Sequence, residues 1–66
     1  MKIYLATITH DIKSNTLEAT WFEEVLDNDG VVTELKRSKC RNYSAEQKDE
    51  FDADTGTTAY STLAGW

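Results

Sequence analysis

The tetrapeptide Asp27-Asn28-Asp29-Gly30 constrains this chain more than any other segment. Its glycine is at ease with φ > 0, and the β-branched and aromatic runs on either side turn that freedom into a hairpin. Residues 16–26, with Thr16, Thr20, Trp21 and Phe22, predict one arm. Residues 31–41 predict the return arm, apolar first (Val31, Val32, Leu35) and basic later (Lys36, Arg37, Lys39, Arg41). Ahead of them, residues 2–9 are rich in β-branched and aromatic side chains and predict a further strand, joined through turn chemistry between His10 and Asn15.

The pattern changes at Ser44. Ser44-Ala45-Glu46-Gln47 is a capping box, and Glu46 suits the positive end of a helix dipole. The helix is expected to run to about Ala53 and to stop near Thr55-Gly56. Tyr60, Leu63 and Trp66 then recur at three-residue spacing, as in a short helical turn or a coil laid on the core. The expected fold is α+β in a single domain over residues 1–66. It is a three-stranded antiparallel β-meander followed by one α-helix and a short C-terminal helical or coil segment.

Loops of six residues at 10–15 and four at 27–30, taken as a starting point, set one register. One face then collects Tyr4, Ala6, Ile8, Leu17, Ala19, Trp21, Val25, Val32 and Cys40. The other collects Ile3, Leu5, Phe22, Leu26, Val31 and Leu35, with Phe22 opposite Leu35 and Glu18 opposite Lys39. A bulge at Gly30 would exchange the faces of one strand. Trp21 is expected in the core, and Trp66 is expected to be the more exposed of the two tryptophans. One helix and a ten-residue tail must cover two apolar faces, which makes Ile3, Leu5 and Leu35 candidates for a partner surface or a homodimer contact.

Composition narrows the chemistry. With 66 residues at 39% hydrophobic, the chain supports one modest core. Twelve acidic against seven basic side chains leave a net charge of -5, which argues against a general phosphate-tracking protein. A single cysteine forms no internal disulfide, so a cytoplasmic location is expected. One His and one Cys fall short of a zinc framework, and neither a metal nor a cofactor is expected. No apolar run reaches a membrane-spanning length, and no signal-peptide cleavage pattern follows Met1. Asn42-Tyr43-Ser44 fits a glycosylation acceptor only by pattern.

The apparent motifs dissolve on inspection. Aligning Gly30 with the glycine of an EF-hand loop puts Val25 and Lys36 where carboxylates should stand. Asp54-Thr55-Gly56 matches an aspartic-protease triplet, and Asp52 with Asp54 matches a phosphatase pair, but the preceding Gln47–Phe51 is polar and helical rather than an apolar strand. That stretch reads better as a helix C-terminus. His10 has no nucleophile or second carboxylate fixed beside it and reads as a turn residue. Cys40, between Lys39 and Arg41, is expected to be a small buried residue at a strand end. No catalytic residue is assigned.

Two charged clusters remain. Lys36, Arg37, Lys39 and Arg41, with Tyr43, Trp21 and Phe22 as stacking surfaces, would suit single-stranded nucleic acid. Against this, residues 1–43 carry six basic and seven acidic groups, while residues 44–66 carry one and five, so the helix can neutralise the basic strand internally. The acidic cluster places Glu46, Asp49 and Glu50 along one broad helix face, either as a solvated surface or as a row that docks on a basic groove.

A free N-terminal strand (Lys2–Thr9), an Asp-Gly hairpin (Asp29-Gly30), an acidic helix (Ser44–Ala53) and no catalytic signature together resemble, in general character, the small accessory proteins that phages and prophages encode. The resemblance implies binding to a host or phage protein rather than catalysis. Two readings follow. One is a non-enzymatic protein-binding module using Glu46, Asp49 and Glu50 or the apolar residues Ile3, Leu5 and Leu35. The other is a nucleic-acid-binding domain using Lys36, Arg37, Lys39 and Arg41.

Overall fold

In the computed structural model, which describes residues 2–66, three strands form one antiparallel sheet in the order β1-β2-β3. They span β1 Lys2–Asp11, β2 Thr16–Leu26 and β3 Val32–Tyr43. A 3₁₀ turn at Ala45–Gln47 leads into α1, Lys48–Thr55, and α2 covers Ala59–Leu63. The expected meander, helix and short terminal helix are all present.

The turns follow from their side chains. At the first, Asp11 Oδ1 accepts from the amides of Lys13 and Ser14, and Asn15 takes the left-handed conformation at φ 53°. At the second, Asp27 Oδ1 accepts from the amides of Asp29 and Val31 at 2.8 and 2.9 Å, and Gly30 sits at φ 79°. The side chain of Gln47 accepts the Ser44 amide at 3.0 Å, completing the capping box. Gly56, at φ 75°, closes α1.

Register departs from the simple loop count at three bulges and at the second turn, which holds five residues, 27–31, rather than four. Ala6 of β1 lies between Leu5↔Trp21 and Thr7↔Thr20 with no partner. Ser38 and Thr33 of β3 are likewise skipped, between Trp21↔Lys39 and Phe22↔Arg37 and between Val25↔Glu34 and Leu26↔Val32. Leu35 therefore stands opposite Glu24 rather than Phe22, and Lys39 opposite Trp21 rather than Glu18. The glycine of the hairpin is not the bulge. Backbone polar atoms and twist set bulges, and side-chain type marks them only weakly.

The core lies at one end of the sheet. Leu17, Ala19, Trp21, Tyr43 and Phe51 are buried, with Leu5, Ile8, Tyr60, Ala64 and Trp66 packed around them. Phe51 sits edge-on between Tyr43 and Trp66, with ring centroids 5.0 and 5.5 Å away. Trp21 is 7% exposed and Trp66 is only half-buried, in the expected order. Coverage stops there for a reason of length. An eight-residue α1 spans about 12 Å, whereas a twelve-residue β3 spans about 40 Å. The molecule is accordingly elongated, at 43 × 20 × 15 Å.

Candidate functional site

Residues directly opposite in the ladder share a face, so the pairing assigns every strand side chain to a side of the sheet. On the helix side lie Leu5, Ile8, Leu17, Ala19, Trp21 and Tyr43. The opposite side of the same end is polar, with Thr7, Thr9, Thr16, Glu18, Thr20 and Asn42. Beyond Trp21 the arrangement reverses. Tyr4, Phe22, Leu26, Val32 and Leu35 gather on the back face, while Glu23, Glu34 and Lys36 join Ile3 and Val25 on the helix side. The crossing occurs where Trp21 and Phe22 are adjacent in sequence and where the Ala6 and Ser38 bulges interrupt the neighbouring strands.

This reversal leaves an apolar patch that neither helix covers. Leu26, Val32 and Leu35 are 44%, 45% and 54% exposed, and Tyr4 and Phe22 are half-buried beside them. Lys2, Glu24 and Arg37 lie among them on the same face. The sequence-based face assignment thus needs correction. Phe22, Leu26 and Leu35 do share a face, but Tyr4 and Val32 accompany them, while Val31 lies in the turn. Ile3 is exposed on the opposite side, and Leu5 packs against the core. Val25 points toward the helix side but beyond the helices' reach, and Ala6 is an exposed bulge residue.

The acidic helix is largely engaged with its own fold. Arg41 pairs with Glu50 and, at 3.3 Å, with Asp54. The Tyr43 hydroxyl donates to Asp54 at 2.7 Å. Burial, reinforced by that hydrogen bond, pushes the Tyr43 phenol up to about 12. Lys48 donates to Asp52 at 2.8 Å and Ser61 donates to its other oxygen at 2.6 Å. These two bonds hold the Asp52 carboxyl below its ordinary value. Glu46 and Asp49 are exposed and, among the described residues, join no ion pair. The continuous row expected of Glu46, Asp49 and Glu50 is therefore reduced to two carboxylates.

The basic strand is divided as well. The Ser38 bulge sends Arg37 to the back face, opposite Phe22, while Lys36 stands opposite Glu23 on the helix side. Lys39 lies over the Trp21 ring at 4.3 Å, and Arg41 lies over Tyr43 at 4.8 Å. Two of the four cations and two of the three proposed stacking rings are thus used inside the fold. Cys40 is exposed rather than buried, because it stands opposite Thr20 on the back face and accepts the threonine hydroxyl at 3.6 Å.

His10 is not a turn residue but lies in β1 opposite Leu17, with its Nε2 2.8 Å from Asn15 Oδ1 of the following turn. Among the described residues, no three His, Cys, Asp or Glu side chains gather as a metal site, and no helix is long and apolar enough to cross a membrane. No family model, curated protein or solved structure matches this chain.

Proposed function

We propose that the chain is a non-enzymatic protein-binding module that contacts its partner through the apolar back face of its far end, the kind of role that its general resemblance to phage and prophage accessory proteins would imply. The observation that carries this reading is the crossing of the apolar stripe at Trp21-Phe22. A sheet that only needed a core would continue its apolar side chains under the helices and present polar residues elsewhere, as the near end does. At the far end, Tyr4, Phe22, Leu26, Val32 and Leu35 instead form an apolar cluster with Lys2, Glu24 and Arg37 among them, the composition of an interface core with a polar rim. The partner's complementary surface is apolar at its centre and carries both signs of charge around it.

The competing surfaces are weaker. Glu50, Asp52 and Asp54 already brace the helices, and Lys39 and Arg41 already stack on the sheet's own rings. Affinity capture with the wild type, Leu35→Glu and Glu46→Lys/Asp49→Lys variants tests the choice. A protein partner retained by the wild type and the helix variant but lost by Leu35→Glu supports the back face. Loss in the helix variant alone overturns it in favour of the acidic surface. Recovery of nucleic acid that disappears when Lys36 and Arg37 are neutralised overturns protein binding itself.

A further inference from the structure

We infer that the outer edge of β1 docks a second copy of this chain, by antiparallel strand addition in a two-fold dimer. This surface is separate from the back face. The two open edges of the sheet differ sharply in how they treat an incoming strand. The β3 edge carries Glu34, Lys36, Arg37, Lys39 and Arg41 and two bulges, which are the devices that discourage edge pairing. The β1 edge, from Ile3 to Thr9, has no charged residue and no proline, and only one bulge. Its β-branched and aromatic composition is that of a strand ready to pair.

Beside that edge runs a groove of about 300 Å³ between β1 and α2, lined by Leu5, Ile8, His10, Leu17, Tyr60 and Leu63 among others. Leu63 is 84% exposed. A strand laid along β1 would therefore meet backbone hydrogen-bonding groups and an apolar slot for its alternate side chains, the two elements of recognition by strand addition.

Charge and symmetry identify the strand as β1 of another copy. A chain of net charge -5 repels itself over most of its surface, but the β1 edge between Ile3 and Thr9 is neutral. The strand residues of the far end balance as well, Lys2, Lys36 and Arg37 against Glu23, Glu24 and Glu34, and the two further carboxylates there, Asp27 and Asp29, lie in the hairpin turn joining β2 to β3 and not on the β1 edge. A two-fold axis perpendicular to the sheet keeps both helix-bearing faces on one side and sets the start of one β1 beside the end of the other. Ile3, 56% exposed on the helix side, and Leu5 then approach the groove of the second copy where Leu63 stands. Each copy covers apolar side chains that the other leaves exposed.

Sedimentation equilibrium across a concentration series tests this, with hydrogen exchange as a second readout. The expected wild-type mass is twice the 7.5 kDa of one chain. Ile3→Glu and Leu63→Glu should each raise the dissociation constant about tenfold or more, while Leu35→Glu leaves it unchanged. Leu63 is exposed enough that its variant should fold, which a circular dichroism spectrum verifies. Amides of residues 3–9 should exchange more slowly as concentration rises, and those of residues 36–41 should not. A wild type that stays monomeric throughout overturns the inference. So does a dimer that reductant dissolves, which would be a Cys40 disulfide, or one that Leu35→Glu breaks and Leu63→Glu does not. Because Leu35→Glu reports on the back face and Leu63→Glu on the edge, failure of one reading is distinct from failure of the other.

Discussion

The two ends of the sheet are built from the same three strands but satisfy different demands. At the near end, Leu17, Ala19, Trp21 and Tyr43 face Phe51 and the second helix, and the reverse side is threonine, glutamate and asparagine. One face is apolar and covered by the helices and the other is mostly polar, which completes a small α+β core. At the far end, the apolar side chains lie on the face away from the helices, and Leu26, Val32 and Leu35 remain about half exposed. The near end holds the core, whereas the apolar face of the far end lies outside it and is the surface that the proposed function assigns to a partner.

The sharpest way to break this division is to remove a side chain from the near end. Phe51 is fully buried and touches both Tyr43 and Trp66. Phe51→Ala should cost about 3–5 kcal/mol, because the cavity lies where two rings and a helix meet. A domain of this size has roughly 3–10 kcal/mol in all, so a large unfolded fraction is expected by circular dichroism at room temperature. A loss below about 1 kcal/mol would mean that the helices contribute little to the core.

The near end also has a pH signature. Tyr43 is buried against Asp54, and its phenol is raised from 10.0 to about 12. A raised pKa favours the protonated form in the folded state, so its contribution is complete below pH 10 and is lost as pH climbs from 10 toward 12. The contribution amounts to about 2–3 kcal/mol by linkage. Urea melts across that range should show a decline in stability that Tyr43→Phe reduces. An identical decline in the variant would assign it to other groups.

Much of this architecture was legible in the residues. Asp27 to Gly30 located the hairpin, and Ser44 with Gln47 located the start of the helical segment. The assignment of faces is less so, because it depends on register, and a fifth residue in the second turn together with bulges at Ala6, Thr33 and Ser38 shifts it without any glycine or proline at the bulges to mark them. A register counted from loop lengths alone puts Leu5 on the face of Leu35 and Cys40 inside, whereas Leu5 packs against the core and Cys40 is exposed. The far-end patch did have a sequence signal. Trp21 and Phe22 are adjacent, so a strand that buries one necessarily presents the other on the opposite face. Internal pairing of the acidic helix with the basic strand was legible from their opposite charges, and Arg41 with Glu50 and Asp54 shows it; which residues pair depends on where α1 crosses β3.

The brace between α1 and β3 should be a smaller contributor than its several contacts suggest. Arg41 and Glu50 side chains are 46% and 57% exposed, so water competes for both partners. A double-mutant cycle with Arg41→Ala and Glu50→Ala should give a coupling no larger than that of an ordinary exposed ion pair, diminishing as salt rises. A coupling well above that would make the ion pair part of the core's stability rather than a surface contact.

The smallest expected effect lies at the far end and carries the most information about it. Leu35→Thr removes an apolar side chain from a position that is 54% exposed, and threonine is well suited to a strand. In the monomer, the change should leave stability within about 0.5 kcal/mol of the wild type in a urea melt. Leu26 and Val32, similarly exposed beyond the reach of both helices, should tolerate the same exchange. A Leu35→Thr cost comparable to that of Phe51→Ala would show that the far end is as fully buried in solution as the near end, and the division between a holding end and a meeting end would fall. A near-zero cost, combined with loss of the captured partner on Leu35→Glu, would place selection on this patch with binding rather than folding.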